Sequence, residues 1–155
     1  MQQQSRRTPY DDDYGTCLDT YCDLRVYPGE LSPHEITKRL GVEPTEVNVA
    51  GEARKGSQGR ERILKINGWF LSSEGRVESK DLRRHLDWLL ERLQPAARGL
   101  AELQSLSGVR MSINCVWWSR SGHGGPTLWP EQMRAMADLN LECTFDVYFE
   151  GEDDE

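Results

Sequence analysis

The sequence predicts an α+β fold: a mixed or antiparallel sheet of ferredoxin-like type, with helices on one face. Three observations carry this. Val109, Met111, Ile113, Cys115 and Trp117 alternate with polar or outward residues, as do Leu141, Cys143, Phe145, Val147 and Phe149. That period of two belongs to a strand with one face buried. Leu82, Leu86, Leu89, Leu90 and Leu93 fall instead on one helical face. Finally, strand and helix signals follow one another as β-α-β-β-α-β-α-β, an order that fits one sheet covered on a single side.

The elements follow in order. Residues 1–14 are polar and contain Pro9 and the Asp11–Asp13 run, so a flexible arm is expected. Residues 17–27 read as a strand with Cys22, Leu24 and Val26 on one side and Tyr21, Asp23, Arg25 and Tyr27 on the other. Pro28-Gly29 ends it. Ser32-Pro33-His34-Glu35 opens a helix, with Ser32 as cap and Pro33 at the first helical position. Ile36 and Leu40 form its apolar stripe, and Gly41 stops it. A short strand around 47–49, a Gly-, Arg- and Lys-rich loop over 51–62, and a strand over 63–71 come next.

Ser79 is expected to cap the long leucine-striped helix, which Pro95 ends or kinks. Leu100, Leu103 and Leu106 mark a further short helix. The strand 109–118, a helix over 130–139 and the final strand complete the body. Leu31-Ser32-Pro33-His34-Glu35-Ile36 and Leu128-Trp129-Pro130-Glu131-Gln132-Met133 look alike, and each lies between two strands. Their similarity suggests two related β-α-β halves.

Domain organisation is simple. A body of 15–149 suits one domain in a chain of 155 residues. The net charge of -7 is mostly terminal: 150–155 hold five acids, while 1–13 set two arginines against three aspartates. An acidic, solubilising tail is therefore expected at 150–155. No basic stripe offers itself to phosphate, so nucleic acid is not expected as a partner. No apolar run approaches the length of a membrane span, and no secretory leader is visible, so a cytoplasmic location is expected. The four cysteines make no CxxC, and Cys22, Cys115 and Cys143 sit on apolar strand faces. They read as reduced core residues rather than a disulfide or metal framework.

Chemistry-bearing residues concentrate in 117–130, where Trp117-Trp118 runs into a loop containing Arg120, His123, Gly124 and Gly125 before Pro130. Such a loop can offer backbone amides to an anion and Arg120 as a clamp. It is neither GxGxxG nor a Walker loop, and Pro126 and Pro130 remove two donors. His123 has the chemistry of a general base, but no nucleophile with an orienting acid is evident. No HxH or HExxH joins the three histidines, so neither a metal nor another cofactor is expected. Gly51-Glu52-Ala53-Arg54-Lys55-Gly56-Ser57 fails as a phosphate loop because Ser57 stands where Lys is needed. Arg84, Trp88 and Arg92, at i, i+4 and i+8, could stack as a cation–π ladder.

Alternation also assembles an open sheet face: Tyr21, Asp23, Arg25 and Tyr27; Asn114, Val116 and Trp118; Thr144, Asp146 and Tyr148. Trp69 joins it if Leu64, Ile66 and Phe70 point inward. Aromatic residues interleaved with Asp, Asn and Arg make a recognition surface.

Four segments resemble a known family: Asn67-Gly68-Trp69-Phe70-Leu71-Ser72-Ser73-Glu74-Gly75, Val77-Glu78-Ser79-Lys80-Asp81-Leu82, Ser121-Gly122-His123-Gly124-Gly125-Pro126-Thr127-Leu128 and Phe145-Asp146-Val147-Tyr148-Phe149. Together they resemble the bacterial domain of unknown function 4279 over roughly residues 18–150. The resemblance implies a small bacterial single-domain protein and no particular activity. Trp129 stands where that pattern has a small capping residue before the proline.

The expected function is a non-catalytic protein-binding module, with toxin neutralisation of the immunity type as one version. It would use the open face and the 119–130 loop, through Arg25, Trp69, Asn114, Trp118, Arg120, His123, Gly124, Gly125, Asp146 and Tyr148. The alternatives are self-association through that face, and a sensor or enzyme for a small anionic ligand. In that last case Arg120 would hold the anion and His123 would move a proton, with Asp146 as a second acid.

Overall fold

The computed structural model describes residues 7–149. The acidic 150–155 segment, together with residues 1–6, lies outside the described residues. The body is α+β. Its main sheet has five strands in the order β2-β5-β1-β6-β7, where β1 is Cys17–Tyr27, β2 Glu46–Asn48, β5 Gly68–Ser72, β6 Arg110–Ser119 and β7 Cys143–Phe149. A separate hairpin joins β3, Ala53–Lys55, to β4, Glu61–Ile63.

β1 lies at the centre, antiparallel to both β5 and β6. β2 runs antiparallel to β5, and β7 runs parallel to β6. The first two crossovers, β1 to β2 and β5 to β6, therefore each span an intervening antiparallel strand, giving interleaved split β-α-β units. The last crossover joins adjacent parallel strands. The two look-alike helix starts thus sit in topologically different units, because β5 inserts between β1 and β2 whereas nothing separates β6 from β7.

Four helices cover one face: α1 (Pro33–Leu40), α2 (Leu82–Leu93), α3 (Ala97–Gln104) and α4 (Pro130–Asp138), with a 3-10 turn at Gln94–Ala96 around Pro95. Ser32 caps α1 as expected, accepting from the Glu35 amide. For α2 the cap is Asp81, not Ser79; its carboxylate accepts from the Arg83 amide, while Ser79 Oγ donates to Asp12. At α4 the Trp129 indole cannot accept a bond. Instead the Gln132 side chain accepts from the Trp129 amide, half of a capping box.

The core lies between helices and sheet. Cys22, Leu24 and Val26 of β1, Trp69 and Leu71 of β5, and Ile113 and Cys115 of β6 meet Ile36, Leu86, Leu89, Leu93, Leu100 and Leu103. Each fully buried leucine contributes about 1.5–3 kcal/mol of transfer free energy.

Four expectations are corrected. The strand expected over 63–71 is two elements: Ile63 ends the hairpin strand β4, and Lys65–Asn67 leave the ladder before β5 begins. The break resets the alternation, so Ile66 is exposed and Trp69 is inward. The 51–62 loop is organised, with Arg54 of β3 donating to Glu46, Asn48 and the Val47 carbonyl of β2. Residues 7–14, expected to be a flexible arm, lie against α2 instead. The Thr8 carbonyl accepts from the Trp129 indole, the Tyr10 hydroxyl bonds Asp87, and Arg84 stacks over the Tyr10 ring at 4.0 Å. That stacking takes Arg84 out of the expected ladder, leaving only Arg92 over Trp88, also at 4.0 Å.

Beneath this strap is a buried ion pair. Arg83 and Asp81 are 2.7 Å apart, with their side chains 2% and 0% exposed. Burial alone would raise the Asp81 pKa, but hydrogen bonds from the Arg83 side chain and from the Asp11 and Arg83 amides outweigh it and lower the value. Among the described residues, no helix is long and apolar enough to cross a membrane.

Candidate functional site

The helix-free face of the sheet is built by the side chains that alternate away from the core. Register aligns Asp23 with Ser72 and Asn114, Tyr21 with Val116, and Asp19 with Trp118. β7 extends these rows with Thr144 beside Asn114, Asp146 beside Val116 and Tyr148 beside Trp118. Arg25, Asn114, Trp118, Asp146 and Tyr148 therefore share one surface, as the alternation expects.

Trp69 does not belong to it. Its Cα partner is Val26, a core residue; the ring is fully buried and its Nε1 donates to Thr37 of α1 at 3.0 Å. Phe70 takes the outward position, opposite Arg25. The reason is the parity reset at Lys65–Asn67. A glycine immediately before an aromatic run is the signal that marks the new strand start.

The surface has two parts. At the β7 end, Trp118 and Tyr148 stack with centroids 4.6 Å apart and planes 20° from parallel. Tyr148 is 44% exposed. Towards β2 lies a cleft of about 360 Å³ lined by Tyr21, Asp23, Arg25, Tyr27, Arg54 and Phe70 among others. Tyr27 and Phe70 meet edge-to-face at 5.9 Å. Sequence reasoning missed Arg54. The Gly56-Ser57-Gln58-Gly59 turn between β3 and β4 is the hairpin signal that could have found it.

Between the two parts the face is closed by its own side chains, with Asp23, Asn114 and Val116 all buried. Burial raises the Asp23 pKa, against the opposing pull of the Arg25 guanidinium 3.0 Å away. Asn114 Nδ2 is buried without a hydrogen-bond partner among the described residues.

The 119–130 loop adjoins this face at its Trp118 corner. Its backbone is tied down locally: the Ser119 hydroxyl donates to the His123 carbonyl and accepts from the Gly122 amide, and the Arg120 amide donates to Thr16. Gly124 adopts a φ of +83°, and a Cβ there would lie 2.5 Å from Thr16 Oγ1. The Gly125 carbonyl accepts from Tyr14. Gly124 thus serves close packing against the N-terminal segment, whereas a Cβ at Gly125 would meet nothing within 4 Å. The Arg120 and His123 side chains are exposed.

The remaining chemistry-bearing groups are structural. His85 is buried between the Ser73 hydroxyl, at 2.7 Å, and the Ser79 carbonyl, at 2.8 Å. Burial lowers its pKa, favouring the neutral ring. All four cysteines are free thiols, with Cys115 and Cys143 sulfurs 3.6 Å apart. Among the described residues, no three His, Cys, Asp or Glu side chains are grouped to hold a metal ion.

No curated protein and no solved structure matches this chain. One family model does match, over residues 19–150, and it spans both the sheet face and the adjoining loop. The chain belongs to the family described as domain of unknown function DUF4279.

Proposed function

We propose that this domain is a non-catalytic protein-binding module whose contact surface is the helix-free sheet face together with the Arg120–His123 loop. The stacked Trp118–Tyr148 pair carries the reading. Two large rings held parallel on a strand surface present apolar area with little rotamer entropy left to lose, the property of interface anchors. Asp146 and Arg25 add charges on the same face, and Arg120 and His123 extend it past the end of β6. A bacterial cytoplasmic protein that neutralises a toxin by covering it is one version of this role.

The anionic-ligand reading has less support. The Gly122 amide that would cradle an anion is already bonded to Ser119, which leaves Arg120 as a solitary exposed cation.

Affinity purification from the native host, comparing wild type with Trp118→Ala and Arg120→Ala, tests the proposal. A discrete protein recovered with wild type and lost with Trp118→Ala supports it. Recovery of no protein, or undiminished recovery with both variants, refutes it.

A further inference from the structure

We infer that β7 is a dimerisation edge, pairing antiparallel with β7 of a second copy to form a continuous ten-stranded sheet. This surface is separate from the proposed binding face. The inference stands on three features of the strand.

First, β7 is the outermost strand of the main sheet among the described residues. The Ile113 amide donates to the Glu142 carbonyl at 2.9 Å, so residue 142 turns its backbone groups towards β6. Alternation directs those of Thr144, Asp146 and Tyr148 the same way, and those of Cys143, Phe145, Val147 and Phe149 outwards. A row of outward donors and acceptors is a template for another strand.

Second, the usual edge protections are lacking. β7 contains no proline and no lysine, and its register with β6 is continuous from Cys143 to Phe149. Its side-chain row on the helix side is apolar yet uncovered: Phe145, Val147 and Phe149 are 42%, 61% and 54% exposed. The paired residues of β6, Cys115 and Trp117, are buried.

Third, the strand can pair with its own copy without opposing like charges. Backbone parity requires outward residues to face outward residues. A twofold axis at Asp146 satisfies parity but opposes two carboxylates directly, which destabilises the pair. An axis at Val147 uses only 145–149 of the described strand. An axis at Phe145 likewise pairs five strand residues, 143–147, and places Tyr148 and Phe149 opposite Glu142 and Leu141 rather than beyond the described residues. It sets Phe145 against Phe145, Cys143 against Val147 and Thr144 against Asp146, with no like charges opposed. The helix-side row then becomes one apolar seam across the axis. The same pairing puts both Trp118–Tyr148 stacks on one sheet surface, so a dimer would present two recognition faces side by side.

Sedimentation equilibrium on the full chain, with hydrogen exchange at low and high protein concentration, tests the inference. Wild type should sediment at twice the 17.8 kDa chain mass, and the Phe145 and Val147 amides should slow as concentration rises. Val147→Pro deletes an outward N–H and leaves the β6 ladder intact, so it should sediment as a monomer with unchanged far-ultraviolet circular dichroism. Phe145→Asp, which opposes two carboxylates at the axis on an already exposed position, should do the same and serves if the proline variant misfolds. A monomeric wild type, or a dimer that survives Phe145→Asp, overturns the inference. Neither outcome bears on the partner-capture experiment.

Discussion

Removing the Asp81 carboxylate should cost more stability than any other single charge deletion in this chain. Asp81 performs three tasks at once. It caps α2 through the Arg83 amide, accepts from the Asp11 amide at 2.7 Å, and neutralises an Arg83 side chain that is 2% exposed. Asp81→Ala leaves that guanidinium buried with, among the described residues, only the Thr8 oxygens as polar partners of the side chain. Breaking a buried pair in this way costs about 3–5 kcal/mol. Unfolding entropy near roughly 2 cal/mol/K per residue makes the drop in Tm about 10–15 °C for a chain of 155 residues.

The pH dependence has a definite sign. The folded pKa of Asp81 is depressed, so its contribution is present above the ordinary carboxylate range and is lost as pH falls through the lower, folded value. Thermal melts by circular dichroism from pH 7 down to pH 2 should therefore show wild type and Asp81→Ala converging in acid. Asp81→Ala/Arg83→Met should recover much of the loss, because no unpaired charge remains. A Tm for Asp81→Ala within about 2 °C of wild type at pH 7 would refute the reasoning.

Three further outcomes are expected. Trp69→Ala should lose about 3–5 kcal/mol in chemical denaturation as a core truncation, whereas Trp118→Ala, at a partly buried position on the helix-free face, should lose less; the reverse ranking would contradict the register of β5. Asn114→Val removes the orphaned Nδ2 donor and should raise Tm by about 2–4 °C, reflecting roughly 1 kcal/mol of relieved desolvation, and a lower Tm would show that the amide has a partner in solution. Gly99→Ala places a Cβ 2.4 Å from the Arg39 carbonyl oxygen and should cost about 1–3 kcal/mol by forcing α3 away from α1, which a denaturant melt would reveal as a lower midpoint.

Much of the site was legible because β6, β7 and β1 from Asp19 onward keep a period of two. That alone placed Asp23, Arg25, Asn114, Trp118, Asp146 and Tyr148 on one face. The method failed at Trp69 for a physical reason: parity is counted from a strand's start, and the backbone leaves the ladder at Lys65–Asn67. It also said nothing of Arg54, which reaches the face from a separate hairpin. The 7–14 segment looked mobile because its composition is polar. Yet Thr8, Tyr10 and Tyr14 bond partners more than 70 residues away, and local composition carries no record of such contacts.

By itself the sequence determined the α+β class, the positions of the main helices and strands, and which side of β1 and β6 is apolar. These depend on short-range periodicity and on caps within a few residues. Only the tertiary structure decided that β5 lies between β1 and β2, that Arg83 is buried with Asp81 beneath the N-terminal strap, and that the apolar row of β7 remains exposed. Strand order and burial depend on which distant segments meet, and an alternating pattern shows that a face is apolar without showing what covers it.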